Sequence, residues 1–455
     1  MKRSIYRFIC GMIMVLLSTA SFTYIWILFV KENNNTGHLL GYGNIGMAMI
    51  LYVIIFILSG RWLHAFKIGV ERKAKLIAGI ILTVFTTGVI EIFLSMAITG
   101  QFRFFWDFTW RYMLLAVCQS FVFSILIAIM ANIYRVIIPP IKLLEITGSH
   151  KNRLARNLNS IKSKYSIVES LMYSIPEDEL RSAIEQAEAV LINDIPAAEE
   201  NRIVKFCFKL NKRVYITPKI SDIMLKSSEN LNVVDTPLFL CRNQVMTSFQ
   251  RFLKRTFDLF VSVFALIVTS PFLLITALAI KLEDHGPVFF RQERVTKDDK
   301  RFMILKFRSM IVDAEKDGRP HPAGEKDDRI TKVGKIIRAC RIDELPQLIN
   351  ILRGEMSVVG PRPERVEHVE KYSSEISEFN FRHKVKGGLT GYAQVYGKYN
   401  TSALDKLKLD LMYITNYSFL LDIQILFETL KILFIKESTE GFDEEMVHEM
   451  HGDGV

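Results

Sequence analysis

The chain of 455 residues holds only five cysteines, Cys10, Cys118, Cys207, Cys241 and Cys340, scattered and odd in number, with no Cys-x-x-Cys pair. That pattern argues against a disulfide framework or a cysteine zinc site and reads as free thiols in a reducing compartment. Nucleic-acid-binding motifs are also missing. The formal net charge of +10 therefore points to anionic lipid headgroups or anionic substrates. A third absence is the run of closely spaced glycines that lets backbone approach a dinucleotide pyrophosphate; the turn in the matching place is Thr147-Gly148-Ser149-His150, with one glycine. What the chain has in plenty is apolar residues, 50% of the total. Its mean hydropathy of +0.21 is that of a membrane protein.

Four apolar runs fill the first third, at Ile5–Val30, Ile45–Ser59, Leu76–Ile98 and Tyr112–Ile138. Each suits a helix across a bilayer core of about 30 Å, the second being short. Lys2, Arg3 and Arg7 precede the first run as they would a signal peptide, with Ser18-Thr19-Ala20 as a cleavage site. The hydrophobicity continues well past that point, so the run reads as an uncleaved anchor. Arg61, Lys67, Arg72, Lys73 and Lys75 crowd the loop between the second and third runs, against Lys31 in one neighbouring loop and Arg103 and Arg111 in the other. The positive-inside rule then places the N-terminus and everything after Pro139-Pro140 in the cytoplasm. Glu91 inside the third run has two readings, an ion path or a hydrogen-bonded interior residue.

From 141 to 245 short strands alternate with amphipathic helices. The strands are expected at Leu143–Thr147, Ser166–Met172, Ala189–Ile192 and Val214–Thr217, and the helices at Asn152–Ile161, Glu177–Gln186 and Ala197–Asn211. Such alternation predicts a parallel α/β sheet of Rossmann type. With one glycine at the turn, a structural or regulatory role is favoured over cofactor binding. Apolar composition returns at Phe257–Leu282, interrupted by Ser270-Pro271. Proline there removes a helix hydrogen bond and clashes with the preceding turn, so a sharp bend is expected. A bent helix that dips into one leaflet and returns keeps the remainder cytoplasmic, whereas a kinked ordinary span exports it.

The chemistry gathers beyond that segment. Arg251, Lys254 and Arg255, ahead of it, suit anionic headgroups. In the β-like run Phe302–Met310, alternation puts Lys306 and Arg308 on one strand face, able to grip one anion together. Asp343 and Glu344 are chain neighbours, about 100° apart on a helix, and cannot act as the facing acid and base of a glycosidase. One carboxylate can attack phosphorus while the other holds a metal, provided that cations cancel the anionic repulsion. Arg338, Arg341, Arg353 and Arg362 are the local cations. Asp-Glu alone also suits a helix start. The stretch Leu404–Phe434 interleaves charges with apolar residues, as a membrane-surface helix or one packed on the catalytic core does.

Lys306–Met310, Asp343–Leu348, Met356–Pro363 and Gly388–Val395 stand in an order that resembles the bacterial sugar transferase family, the polyprenyl phosphate glycosyl-1-phosphate transferases. The resemblance covers about Lys254 to Phe434. With four N-terminal spans and a Rossmann-like middle, the whole looks like the long members that initiate exopolysaccharide, capsule or O-antigen synthesis. The fold it implies is a membrane protein: an N-terminal four-helix transmembrane bundle (1–140), an α/β Rossmann-like cytoplasmic domain (141–245) and a mainly α (α+β) catalytic domain (250–436). The catalytic domain would carry a re-entrant helix over 257–282, broken at Ser270 and Pro271. Residues 437–455 are expected to form an acidic flexible tail; its His448 and His451 stand at metal-ligand spacing, though a disordered terminus is favoured.

The activity implied is ping-pong. Asp343 attacks the β-phosphate of a UDP-sugar, UMP leaves, and polyprenyl (undecaprenyl) phosphate takes the sugar-phosphoryl group from the aspartate. Glu344 helps to bind Mg²⁺, Arg338 and Arg362 hold phosphate, and Lys306 and Arg308 contact the nucleotide diphosphate. Membrane lipid is a further partner, nucleic acid is not, and a homo-oligomer is left open. The implied location is the bacterial plasma (inner) membrane, multi-pass, with the catalytic domain on the cytoplasmic face. Two other functions fit parts of the chain: a transporter or flippase built on the N-terminal helices, and an assembly regulator built around the middle domain.

Overall fold

The computed structural model describes residues 2–33, 42–148, 154, 155, 158, 164–233, 235–241, 245–312, 328–397 and 401–433. Ser149, His150, most of the helix expected at Asn152–Ile161, and the tail with His448 and His451 lie outside the described residues. The chain divides into two compact units, Met1–Pro218 and Lys219–Val455.

In the first unit the four apolar runs form α1 (Lys2–Asn33), α2 (Tyr42–Trp62), α3 (Lys73–Thr99) and α4 (Phe105–Ile137). At about 1.5 Å per residue each reaches across a hydrocarbon core of about 30 Å. A fifth helix of that length and composition lies in the second unit, and together they mark a membrane-associated protein. Gly100, at φ 64°, ends α3. α4 starts at Phe105, ahead of the expected Tyr112. Asp107 in its first turn pairs with Arg111 one turn on, at 3.0 Å, which suits the positive helix end. Stacked rings fill the space between helices, with Phe22 over Tyr52 at 4.1 Å and Trp26 over Phe108 at 5.7 Å. Gln119 Nε2 donates to Ser21 Oγ at 2.8 Å, and Ser18 and Tyr52 hydroxyls meet at 2.6 Å, the polar contacts that join helices where lipid gives no hydrophobic drive. Glu91 is fully buried, yet neither carboxyl oxygen has a hydrogen-bond partner among the described residues. The nearby hydroxyl of Tyr112 is spent on Ser95 instead.

The same unit carries a parallel sheet in the order β2-β1-β3-β4, formed by β1 (Ile141–Thr147), β2 (Tyr165–Met172), β3 (Ala189–Asn193) and β4 (Arg213–Ile216). α5 (Glu177–Gln186) connects β2 to β3 and α6 (Ala197–Lys209) connects β3 to β4. All five residues of β3 are buried, as a central strand covered on both faces requires. A Cβ on Gly148 would lie 2.1 Å from the Asp194 carbonyl oxygen, so this glycine serves the packing of β1 against the end of β3.

The second unit opens with α7 (Ile220–Lys226) and the antiparallel hairpin β5 (Glu229–Val233) and β6 (Thr236–Leu240). α8 follows, 37 residues from Ser248 to Asp284, begun by a Thr247–Gln250 capping box and ended by His285 at φ 57°. Pro271 lies inside it and has no N–H for the Ile267 carbonyl. The Ser270 hydroxyl donates to that carbonyl at 2.8 Å and takes the missing amide's place. Phe260, Phe264, Ile267, Phe272, Ile275 and Leu278 of α8 are exposed, an apolar surface too large for water to cover.

Polar residues of α8 turn inward, contrary to the headgroup role expected of Lys254 and Arg255. Lys254 is buried against Asp422 at 2.7 Å and donates to the Val359 carbonyl at 2.9 Å. Arg255 donates to the carbonyls of Ile351 and Leu352 at 2.6 and 2.8 Å, capping a helix C-terminus. Their fixed carbonyl and carboxylate partners offset the desolvation of both cations. Leu404–Phe434 resolves into two helices, Ala403–Thr415 and Phe419–Leu433, separated by a break at Asn416–Ser418 and packed into the core through Leu411, Tyr413 and Ile425.

Candidate active site

Three segments bring the functional side chains together. β7 (Phe289–Val295) and β8 (Arg301–Phe307) form an antiparallel hairpin in which Lys306 faces Phe290 and Arg294 faces Phe302. α9 (Lys332–Ala339) is capped by Thr331 Oγ1 and by Glu283, which accepts from Lys332 N at 2.7 Å. Arg341 takes the left-handed φ of 54°, and Ile342–Glu344 form a single 3-10 turn ahead of α10 (Gln347–Arg353). Asn350 of α10 accepts from Leu305 N at 3.0 Å and donates to Met303 O at 2.8 Å, which locks the turn beside β8. Gly354 at φ 83° ends α10 and leads into β9 (Ser357–Val359), paired in parallel with β10 (Gly388–Thr390). A Cβ on Gly360 would stand 2.4 Å from the Lys386 carbonyl oxygen, so glycine alone permits the turn that presents Pro361, Arg362 and Pro363.

Two residues of α8 hold that strand. Asp258 accepts from Ser357 Oγ and Val358 N, both at 2.9 Å, and Lys254 reaches the carbonyl of Val359. On the far side Arg382 donates to Arg362 O at 2.9 Å and forms a buried ion pair with Asp410 at 2.8 Å. The backbone of Arg362 is thus fixed from both directions.

At the centre, Lys306 Nζ and Arg362 Nη2 donate to the same oxygen, Glu344 Oε1, at 2.9 and 2.8 Å. Burial pushes the Glu344 carboxyl up, but Arg362 and Lys306 overrule it and hold the group well below the usual carboxylate range. Burial lowers Lys306 despite Glu344. Asp343 differs from its neighbour. Among the described residues it has no hydrogen-bond or ion-pair partner, and burial followed by the charge on Glu344 raises its pKa against the pull of Lys306, Arg338 and Arg362. Arg338 is half-buried on α9 and forms no salt bridge among the described residues.

The structure thus brings Asp343, Glu344, Lys306 and Arg362 together, with Arg338 bearing on Asp343 through its charge. Arg308 goes elsewhere. It follows the end of β8, is 6% exposed, and makes a two-pronged ion pair with Asp284 at the end of α8, one prong being 2.8 Å. Lys306 and Arg308 therefore do not grip one anion. Arg353 is exposed at the end of α10. Sequence reasoning did not single out Arg294, Gln347, Asp258 or Arg382. Arg294 and Gln347 line, with Lys306, Arg362, Pro363 and Gly388, a cavity beside the carboxylates. The alternation of Gln292 and Arg294 in a cationic run was the available signal, but which face met the site depended on the hairpin's pairing.

The family model for bacterial sugar transferase matches residues 249–436, which include every one of these groups. An uncharacterized sugar transferase of Bacillus subtilis, EpsL, is 38% identical over 202 residues, 44% of this chain and 97% of the relative. The chain belongs to the bacterial sugar transferase family. Two longer relatives align over more of it. The UDP-N-acetylgalactosamine-undecaprenyl-phosphate N-acetylgalactosaminephosphotransferase of Aeromonas hydrophila is 38% identical over 256 residues, 54% of this chain and 58% of the relative. The UDP-glucose:undecaprenyl-phosphate glucose-1-phosphate transferase of Klebsiella pneumoniae is 43% identical over 223 residues, 48% of this chain and 47% of the relative. The chain thus spans about half the length of these two curated relatives. For a sugar transferase the split between the adjacent carboxylates has a chemical reading: one is neutralised by two cations while the other stays free.

Proposed function

We propose that this chain transfers a sugar-1-phosphate from a UDP-sugar to polyprenyl (undecaprenyl) phosphate, releasing UMP, as the first membrane step of exopolysaccharide, capsule or O-antigen synthesis. The observation that carries this reading is the unpartnered Asp343 beside a Glu344 already clamped by Lys306 and Arg362. A carboxylate without donors is a better nucleophile than one that must first shed them. An Asp343 oxygen attacks the β-phosphorus, the bond to UMP breaks with its electron pair leaving on UMP, and a sugar-phosphoryl aspartate forms. A phosphate oxygen of polyprenyl phosphate then attacks the same phosphorus and restores Asp343. Lys306, Arg338 and Arg362 lower the repulsion between anions at each step.

Mg²⁺ fits the donor set, because it takes carboxylate oxygens together with water and substrate phosphate, and both Asp343 oxygens and Glu344 Oε2 lie outside the ion pairs. Glu344 would hold it, and bound Mg²⁺ supplies positive charge to the diphosphate. The helix α8 we read as re-entrant, with the catalytic residues on the cytoplasmic face of the bacterial inner membrane. Support comes from its two ends. Asp258 bonds β9 and Asp284 bonds Arg308 next to β8, and Asn350 and Glu355 tie those strands into one body, the Glu355 carbonyl accepting from Thr296 at 3.0 Å. A straight crossing would send the two ends to opposite sides.

The relatives' names differ in the sugar, so the assay is a panel. Purified protein is incubated with UDP-glucose, UDP-galactose and their N-acetyl forms plus polyprenyl phosphate, and UMP release is measured. Release with one donor, abolished in Asp343→Asn, is expected. No release from any donor overturns the reading.

A further inference from the structure

We propose that Arg294 is a further phosphate-binding residue of this site. The inference rests on the phosphoryl-transfer reading above and adds to it a residue on a different strand from Lys306. The guanidinium of Arg294 is oriented by neutral partners only: Nη1 donates to Pro363 O at 3.2 Å and Nη2 to Gln292 Oε1 at 2.7 Å. Its Nε is buried with no hydrogen-bond partner among the described residues, and the side chain lines the cavity shared with Lys306, Arg362 and Gln347. Among the described residues no carboxylate forms a salt bridge with it.

Lys306 and Arg362, by contrast, both face the one Glu344 oxygen. Of the three cations in the cavity, Arg294 is the one without a salt bridge among the described residues, although the charges of Glu364 and Glu344 bear on it from farther off. Burial, followed by the like charge of Arg362, lowers it to about 10, so the surroundings supply less negative charge than they need. A half-buried cation with a buried, unsatisfied Nε fits a site completed by an anion. The hairpin is also fixed to the Arg362 turn: Val295 N donates to Glu364 O at 3.1 Å, which keeps Arg294 and Arg362 at a constant spacing. Planar guanidinium groups held in this way suit the oxygens of one phosphoryl group. Both proposed substrates carry such a group, the nucleotide sugar in its diphosphate and the lipid in its headgroup.

The test uses the full chain in detergent or nanodiscs, as wild type, Arg294→Lys and Arg294→Gln. Initial rates are measured with UDP-sugar varied at fixed polyprenyl phosphate and then the reverse. Arg294→Gln is expected to raise KM for at least one substrate by about 10- to 100-fold, the effect of one lost charge-assisted hydrogen bond. The arm that changes identifies which phosphate Arg294 holds, and Arg294→Lys should recover part of the loss. Thermal stabilisation by pyrophosphate or UMP is read in parallel and needs no turnover: it should be present in wild type and absent in Arg294→Gln. Unchanged KM values, or lost activity with undiminished ligand stabilisation, would overturn the assignment. Wild type that is stabilised by pyrophosphate through Arg294 but turns over no UDP-sugar would sink the proposed activity and keep the phosphate site.

Discussion

Asp343 and Glu344 are adjacent in one 3-10 turn, yet their acidities move in opposite directions. Burial and its neighbour's charge raise Asp343, while Arg362 and Lys306 hold Glu344 low against burial. Two like carboxylates are thereby given separate work. Because the raised pKa belongs to the group proposed to attack phosphorus, activity should fall on the acid side at a pH above the ordinary aspartate value, as Asp343 gains a proton. The pH profile of kcat/KM for UMP release checks this, and a limb at or below the ordinary value would contradict it.

The same shift has a stability sign. Asp343 binds its proton more tightly folded than unfolded, so its contribution to stability is complete below the unfolded pKa and is lost as pH rises through the folded pKa. At neutral pH the ionised, unpartnered carboxylate is a cost. Asp343→Asn should therefore lower kcat by about 10³- to 10⁶-fold, as loss of a nucleophile does, while raising Tm at neutral pH. Thermal unfolding at neutral and acid pH distinguishes the outcomes, since the gain in Tm should vanish where wild-type Asp343 is already protonated.

Arg308 and Asp284 make a different prediction from the cations proposed to bind phosphate. Breaking a buried ion pair leaves an uncompensated charge and costs about 3–5 kcal/mol, less here because Asp284 is 30% exposed. Arg308→Gln should lower stability by about 2–3 kcal/mol and leave KM for UDP-sugar unchanged in protein that remains folded. A tenfold rise in KM without loss of Tm would restore Arg308 to the site.

How much of this could be read beforehand depended on whether the cause was local. The apolar runs of α1 to α4 and the alternation of β1, β3 and β4 carry their own periodicity, and their positions followed from it. Asp343, Glu344, Lys306 and Arg362 belong to motifs with fixed spacing. Strand alternation carried on to Arg308 would set it on the same anion as Lys306, two residues away; β8 instead ends at Phe307, and Arg308 turns to the end of α8. Lys254 and Arg255 looked like interfacial cations because their partners, Asp422 and the carbonyls of Ile351 and Leu352, lie about a hundred or more residues away. Only tertiary pairing reveals such contacts.

Asp258 transmits the position of α8 to Arg362. Its carboxylate takes two donors from β9 at 2.9 Å, and Asp258→Ala would leave Val358 N buried and unsatisfied at a cost of about 1–3 kcal/mol. The turn that carries Arg362 follows directly, so kcat should fall by about tenfold or more even at temperatures where the variant is folded. Asp258→Asn, which keeps one acceptor oxygen, should lose less. Equal activity for Asp258→Ala and wild type would uncouple the helix from the site.

Pro271 inside α8 and the two polar anchors of that helix both bear on whether it is re-entrant as proposed, and magnitudes weigh them. Replacing Pro271 by alanine removes an interior-proline cost of about 3 kcal/mol and so favours straightening. Asp258 opposes it with two charge-assisted hydrogen bonds of about 1.5–3 kcal/mol each, and Asp284 adds its ion pair with Arg308. The anchors prevail, so Pro271→Ala alone should keep both helix ends on one side of the membrane. Single cysteines at Ser248 and Lys297, in a background without exposed native thiols, report this through an impermeant maleimide applied to sealed vesicles of known orientation. Both positions should label from the cytoplasmic side in wild type and in Pro271→Ala. Adding Asp258→Ala and Asp284→Ala to Pro271→Ala should move a fraction of Lys297→Cys to the opposite side. Labelling of the two positions from opposite sides in wild type would show that α8 crosses the bilayer, and the active site would then be cut off from cytoplasmic UDP-sugar.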